Sequence, residues 1–490
     1  MNKKTLRQLI WLGIGISCAV GVRYFFDFGE QYKDAQIVAS IAVLMSILWI
    51  TEAVPLAITS LIPLILFPIT GVISSKEISQ SYINSTIFLF MGGFIIAIAM
   101  ERWNLHKRIA LNVIEIAGKS PSKIILGFMA SSALISMWIS NTATAVMLLP
   151  IGLSIIYKLD EEYGIEKTSS FAIALMLSIA YSCSIGGIAT PIGTPPNLVF
   201  QRIYKINFPN NPEIYFGDWM KFAVPIAAVM IVFVWFLLTK ILFKDYNFTS
   251  IDMNLIKEEK LKLGRITYEE KIVAIIFLIT SLLWIFRAEL NLGFIKIPGW
   301  SQIFLKPDFI DDGTVAIAMA FLLYIIPASK KSKEQNFILD FNSIKKIPWD
   351  IILLFGGGFA LADGFVISKL SILIGQQFTS LKNVNPIFLI ASVCFVLTFL
   401  TELTSNTATA QIILPILASL SIELNLNPLL LMIPATISSS FAFMLPVATP
   451  PNAIVFSSRK LKIIDMAKAG LIINFFGIIT VTFFVWLFFV

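Results

Sequence analysis

Charge is scarce in this chain. Only 14% of its 490 residues are charged, where soluble domains carry about 25%. Histidine occurs once, as His106, and cysteine three times. Cys18, Cys183 and Cys394 all lie in apolar stretches and fit neither a disulfide framework nor a metal spacing. That poverty excludes a soluble enzyme built on a histidine or cysteine cluster. In its place stand 57% hydrophobic residues and a mean hydropathy of +0.84. The apolar stretches are continuous and approach the ~20 residues that a spanning helix needs, whereas barrel strands alternate over about ten. The expected fold class is an all-α polytopic membrane protein embedded in the lipid bilayer. The net charge of +7 is spread over short loops between spans, as orientation signals rather than a nucleic-acid surface. The first span lacks a small-residue cleavage site after it and is expected to stay.

The sequence repeats itself. Ser140-Asn141-Thr142-Ala143-Thr144-Ala145 recurs 265 positions later as Ser405-Asn406-Thr407-Ala408-Thr409-Ala410, and each run continues to a Leu-Pro-Ile. Phe90-Met91-Gly92-Gly93-Phe94 and Phe355-Gly356-Gly357-Gly358-Phe359 share that offset. Thr194-Pro195-Pro196-Asn197 and Thr449-Pro450-Pro451-Asn452 are 255 apart, because the connector Lys158–Ser169 is longer than its counterpart around Glu423–Asn427. Apolar runs near 124–157 and 383–422 are too long for one crossing and too short for two. They predict two re-entrant helical hairpins with Ser-Asn-Thr at their tips. Proline removes an N–H and disfavours helix before it, so the Thr-Pro-Pro-Asn motifs predict broken helices. Non-helical backbone at membrane depth is tolerated only where protein or a water-filled cavity covers it.

Basic residues set the orientation. Lys3, Lys4 and Arg7 place the N-terminus in the cytoplasm, and Arg102, Lys107 and Arg108 return there. The stretch 244–271, with six Lys/Arg, and the loop 328–347, with five lysines, are also expected inside. Arg459, Lys460, Lys462 and Lys468 follow, which leaves the C-terminus outside. The first Gly-rich span then runs inward and the second outward, so the repeats are inverted in the membrane. About 11 transmembrane helices plus the two hairpins are expected. Inverted repeats with broken helices are the pattern of secondary transporters, with the site where the repeats meet.

Four motifs of Ser, Asn and Thr offer neutral oxygens for a hard cation such as Na⁺. Half-helix N-termini offer N–H groups and partial positive charge to an oxyanion. No Lys or Arg falls within or beside the four motifs. A dianion buried without a basic partner is expensive, so the residues themselves argue for an anion carried together with cations. Glu402, three residues before the second Ser-Asn-Thr, has no carboxylate counterpart in the first half, and a structural or gating role is expected for it ahead of direct ligation. Asp363 and Lys369 are expected to pair or snorkel near a helix end. His106 reads as part of an interfacial belt.

These residues resemble the divalent anion/sodium symporter family. The similarity also runs through Trp49-Ile50-Thr51-Glu52-Ala53-Val54-Pro55, Trp103–Leu111, Trp138–Ala145, Gly193–Asn197 and Ser440–Phe456. The resemblance implies a homodimeric elevator: a scaffold holding the dimer interface and a moving transport domain. Expected divisions are 1–85 (scaffold helices), 86–206 (first transport part), 207–348 (scaffold and linkers), 349–456 (second transport part) and 457–490 (last scaffold helix). By position, it implies one sodium site at Ser136, Ser140, Asn141 and the carbonyl of Gly193. A second would use Thr401, Ser405, Asn406 and the carbonyl of Ala448. Substrate carboxylates would meet Asn141, Thr142 and Thr194 from one half and Asn406, Thr407 and Thr449 from the other, with Ser140, Pro195, Ser405 and Pro450 completing the shell. Pro195 stands where animal members often have glycine and removes one backbone donor. The implied activity is sodium-coupled uptake of C4-dicarboxylates such as succinate, malate or fumarate. An exchanger of the same fold, or a sodium-coupled sulfate or citrate carrier, is the alternative.

Overall fold

The computed structural model describes residues 3–246, 248, 250–291, 293, 295–329 and 336–490, so three of the five lysines of the 328–347 loop (Lys330, Lys331 and Lys333) lie outside the described residues. Among the described residues the regular structure is helical apart from the short strand pair Leu290–Asn291 and Lys296–Ile297. Among the described residues, eight helices are long and apolar enough to cross a membrane. They differ in how much of them is covered by protein. Lys3–Phe25 is 6% buried and Ile165–Gly187 is 89% buried. The first is a peripheral helix resting on Lys33–Thr51, and the second runs through the centre of the molecule.

The two expected hairpins are present. Hairpin 1 pairs Pro121–Ser136 with Asn141–Tyr163, and hairpin 2 pairs Pro386–Thr401 with Asn406–Glu423. Each first arm has 16 residues. At 1.5 Å per residue that is about 24 Å, short of the ~30 Å hydrocarbon core. Each arm begins with proline at the first helical position, where the missing N–H costs nothing. Each turn falls where Ser-Asn-Thr begins, because Ser140 and Ser405 take the extended conformation of a helix cap. The two broken helices are Ile165–Gly187 with Pro195–Asn207 and Leu429–Ser438 with Pro450–Ser457. In both, the helix resumes at the first proline of Thr-Pro-Pro-Asn.

The sequence repeat is a repeat of contacts. Helices Ser85–Arg102 and Trp349–Ile367 cross at the equivalent residues Phe90 and Phe355, whose ring centroids are 4.8 Å apart. The side-chain amide of Asn197 donates to the carbonyls of Gly187 and Thr190, ten and seven positions back. The Asn452 amide donates to Ala442 and Leu445, also ten and seven back. Both unwound segments are therefore pinned in the same way by the asparagine that ends each motif. The halves also cross over: Pro195–Asn207 packs on hairpin 2's second arm, and Pro450–Ser457 packs on hairpin 1's.

One expectation is corrected in part. Asp363 does not pair with Lys369: its carboxylate accepts the Ser81 hydroxyl at 2.6 Å, and Lys369 caps the next helix in a left-handed conformation, φ 62°. His106 is buried within the protein, with Nδ1 3.0 Å from the Met100 carbonyl oxygen. It faces inward from the amphipathic helix Leu105–Ala117, whose charged face binds the 244–271 stretch. Lys107 pairs with Glu259 at 2.8 Å and Glu115 with Lys260 at 2.5 Å. The same stretch reaches hairpin 1 through Lys158–Asp252 at 2.6 Å.

Candidate functional site

Both hairpin tips and both Thr-Pro-Pro-Asn loops line one cavity of about 840 Å³. Ser140, Asn141, Thr142, Gly193, Thr194 and Pro195 come from one half, and Ser405, Asn406, Thr407, Ala448, Thr449 and Pro450 from the other. The remaining wall comes from helix Ser85–Arg102 (Phe90, Gly93, Phe94, Ala97), the start of Trp349–Ile367 (Asp350, Ile351, Leu354) and the elbow at 50–57. That elbow is the part of the Trp-Ile-Thr-Glu-Ala-Val-Pro motif where Glu52 turns the chain with φ 49°.

Four helices begin at the cavity: Asn141–Tyr163, Pro195–Asn207, Asn406–Glu423 and Pro450–Ser457. Their first-turn N–H groups have no intrahelical acceptor and carry partial positive charge. The caps are shared diagonally. The Ser140 hydroxyl accepts the Ala143 N–H at 3.2 Å, and the Thr449 hydroxyl accepts the Asn452 N–H at 3.4 Å. Their counterparts Ser405 and Thr194 cap without a side-chain bond, which leaves both hydroxyls free to turn toward a ligand.

Behind each asparagine stands a hydroxyl that is shared between two acceptors. Ser136 Oγ donates to the Asn141 side-chain oxygen and lies 2.5 Å from the Cys183 carbonyl oxygen. Thr401 Oγ1 lies 2.7 Å from the Asn406 side-chain oxygen and 2.8 Å from the Ser439 carbonyl oxygen. One hydroxyl proton cannot serve two oxygens at once. Each half therefore holds a cluster of oxygens one donor short, which is the donor set that a hard cation such as Na⁺ prefers. Ser136 and Thr401 are fully buried and do not reach the cavity wall; they orient the asparagines from behind. In the first half the cluster is drawn tighter by a residue that the sequence did not single out. A Cβ on Gly187 would lie 2.8 Å from Asn141 Oδ1 and 3.2 Å from the Gly193 carbonyl oxygen. The Asn141 amide and that carbonyl thus converge on the space left by the missing side chain. Nothing in the sequence marked Gly187, because its repeat equivalent is Ala442.

No lysine, arginine or histidine lines the cavity among the described residues, and three carboxylates do: Glu52, Asp350 and Glu402. Glu402 is occupied. It is 4% exposed and accepts the backbone N–H groups of Phe443, Met444 and Leu445 at 2.7, 2.8 and 3.2 Å, together with the Asn474 amide at 2.8 Å. Its charge is spent on holding the second unwound segment and the last helix against hairpin 2. Glu52 and Asp350 are exposed at the edge of the wall. They also went unmarked as site residues, because they belong to neither repeated motif, although Glu52 lies in a stretch that carries the family resemblance. The cavity therefore offers a dianion helix ends, hydroxyls and amides but no basic side chain, and beside them two clusters suited to monovalent cations.

The fold, helical hairpins and broken helices meeting in the membrane around a two-fold site, is that of a membrane transporter. A family model described as the sodium:sulfate symporter transmembrane region matches residues 31–490, and the chain belongs to that family. It is similar to the sodium-dependent dicarboxylate transporter SdcS of Staphylococcus saprophyticus, 43% identical over 479 residues, covering 97% of this chain and 90% of that protein. It is likewise similar to SdcS of Staphylococcus aureus strain NCTC 8325, 42% identical with the same coverage. Among solved structures it is similar in fold to the Alcanivorax borkumensis YdaH transporter, with TM-score 0.56 and 10% identity over 83% of this chain and 85% of that one. It also resembles Neisseria gonorrhoeae MtrF, with TM-score 0.54 and 11% identity over 100% and 95% of the two chains.

Proposed function

We propose that this protein is a secondary active transporter that takes up C4-dicarboxylates such as succinate, malate and fumarate together with sodium ions. The observation that carries the reading is that two Ser-Asn-Thr tips and two Thr-Pro-Pro-Asn loops meet in one cavity that no basic side chain lines among the described residues. Two carboxylates separated by a short carbon chain match two equivalent sets of amide, hydroxyl and helix-end donors. Asn141, Thr142 and Thr194 serve one end and Asn406, Thr407 and Thr449 the other. The missing positive charge comes from sodium held at the two oxygen clusters, around Asn141 with Gly193 and around Asn406 with Ala448. Binding of anion and cation is then mutually dependent, because either alone leaves uncompensated charge in a low-dielectric site. The names of the staphylococcal relatives favour dicarboxylate as the substrate; the family's sulfate-based description is the reason to test sulfate as competitor.

Movement follows an elevator scheme in a homodimer, with the N-terminus cytoplasmic and the C-terminus outside. The packing supports a different grouping of the last helix from the one expected: Ile463–Phe489 lies along hairpin 2's first arm and carries the Asn474 bond to Glu402, so it travels with the hairpins rather than staying with the scaffold. In the orientation given by the basic loops, Glu52 and Asp350 stand on the cytoplasmic side, and the cavity in this structure opens inward.

The test is radiolabelled succinate uptake into proteoliposomes with and without an inward sodium gradient. Sodium-dependent uptake that unlabelled succinate blocks and sulfate does not is the expected result. Uptake that needs internal dicarboxylate and ignores sodium would identify an exchanger instead.

A further inference from the structure

Four large apolar side chains stand out from the loop that joins helix Tyr268–Ile285 to helix Asp312–Ile325. Ile303 is 85% exposed, Phe309 76% and Phe304 53%, and Leu305 is fully exposed. They fall in one short stretch, 303–309, and none of them lines the central cavity. A contiguous exposed apolar patch marks an interaction surface. The structure draws this one down beside a spanning helix. The Trp300 indole N–H donates to the Leu283 carbonyl at 2.7 Å. The Trp300 backbone N–H donates to the Phe286 carbonyl at 3.0 Å, and that of Ser301 to the Arg287 carbonyl at 3.2 Å. Phe304 in turn packs edge-on to Trp300 at 6.1 Å. The loop is thus folded back along the last turn of Tyr268–Ile285, where Leu278, Ile279 and Leu282 are also exposed. Loop and helix flank form one continuous apolar surface.

Helix length sets the depth of that surface. Asp312–Ile325 has 14 residues. At 1.5 Å per residue it spans about 21 Å, some ~9 Å short of the ~30 Å hydrocarbon core. The shortfall lies at the loop end. At the other end Glu269, in the first turn of Tyr268–Ile285, accepts the backbone N–H of Ser329 at 2.8 Å, just past the second helix. The polar ends of both helices therefore stand together at one face, and the loop completes the crossing at the opposite one. We infer that 303–309 is a wedge inserted into the lipid bilayer, with its apolar side chains at the boundary of headgroups and acyl chains. Interfacial apolar faces enter by about 5–10 Å, which matches the shortfall. The charged residues of the stretch fit the same placement. The Lys306 ammonium lies 4.7 Å over the Phe309 ring, as in a lysine that reaches from lipid to the headgroups. Asp308 lines a cavity of about 470 Å³ together with Gln201 and Lys205. A flat face would suit a second copy of the chain; a projecting tip suits fluid lipid. In the orientation given by the basic loops, the leaflet is the outer one. The inference is independent of the transport reading.

The test reads the depth of the loop directly. Cys183 and Cys394 are buried, so only the exposed Cys18 is replaced, by serine. Leu305→Cys and, separately, Phe309→Cys are labelled with a nitrobenzoxadiazole probe and reconstituted into phosphatidylcholine vesicles. Lipid spin-labelled near the headgroup end of its chains should quench both probes at least about twofold more than aqueous iodide does, as insertion by ~5–10 Å requires. The same probe at Lys296→Cys, on the exposed strand beside the loop, should show the reverse. Reading two sites keeps the outcome decidable if one variant fails to fold. Iodide quenching at 305 and 309 equal to that at 296 would overturn the insertion. Shielding from both quenchers, with self-quenching that unlabelled protein relieves, would also overturn it and assign the surface to a second copy of the chain.

Discussion

The two half-sites share a plan and differ in fit. Around Asn141 the oxygen cluster closes on a glycine, Gly187, and the next carbonyl belongs to Gly193. Around Asn406 the equivalent positions are Ala442 and Ala448, each carrying a methyl group that the glycines lack. The second half gains instead a buried carboxylate, Glu402, which gathers three backbone N–H groups and an amide behind the tip. The first half has Met137 at that position and relies on Trp138 wedged against Phe216 and Phe277. One tip is thus held by a shared anion and the other by aromatic packing. The two halves share the motifs that line the cavity, while each half finds its own means of keeping them still.

The comparison can be broken first at its common core. Asn141→Ala and Asn406→Ala should each abolish sodium-dependent succinate uptake in a protein that still elutes as a folded species. Wild-type rates from either would refute the site. Glu402→Ala, by contrast, should act through stability. It orphans one buried and two part-buried backbone donors, the buried one at about 1–3 kcal/mol, so the melting temperature should fall, whereas Met137→Ala in the first half should cost much less. Equal losses at 402 and 137 would remove the distinction drawn between the two tips.

The third test concerns the glycine. Gly187→Ala should weaken apparent sodium affinity about tenfold, equivalent to ~1.4 kcal/mol, because its methyl would press on Asn141 at 2.8 Å. Ala442→Gly should change it by less than about twofold. Sodium titrations of uptake would show whether the first cluster is the tighter one. The smallest effect is expected at the Lys158–Asp252 tie to hairpin 1. The Lys158 ammonium at 2.6 Å holds the Asp252 carboxyl below the usual carboxylate range. A lowered value means the tie is intact above the unfolded-state value near 3.9 and is lost only as pH falls through the lowered one. The tie therefore contributes no pH dependence between pH 5 and 8, and Asp252→Asn should leave uptake within about twofold of wild type.

Much of this was legible beforehand because membrane sequence is so restrictive. Polar residues and prolines inside apolar runs have few tolerated explanations, so Ser140–Ala145 and Ser405–Ala410 predicted the hairpins, and Thr-Pro-Pro-Asn the helix breaks. Charged residues away from the motifs were harder. Asp363 was matched with its neighbour Lys369 in sequence, while its hydrogen-bond partner Ser81 is 282 positions distant. The charged neighbours of His106 do not reveal that it is the inward member of an amphipathic helix. The last helix carries no motif, and its packing along hairpin 2, with the Asn474 bond to Glu402, shows only in the structure.

The amino-acid sequence by itself determined that the chain is buried in lipid, that it is built twice over in opposite senses, and which four motifs gather its polar groups. Those follow from local rules: the cost of unpaired backbone in hydrocarbon, the conformational limits of proline and the sidedness of lysine and arginine. Only the tertiary structure decided that the motifs meet in one cavity, that no basic side chain lines it among the described residues, and that Gly187 makes room for Asn141. Such relations depend on which surfaces come together across hundreds of residues, and no local pattern in the chain encodes that distance.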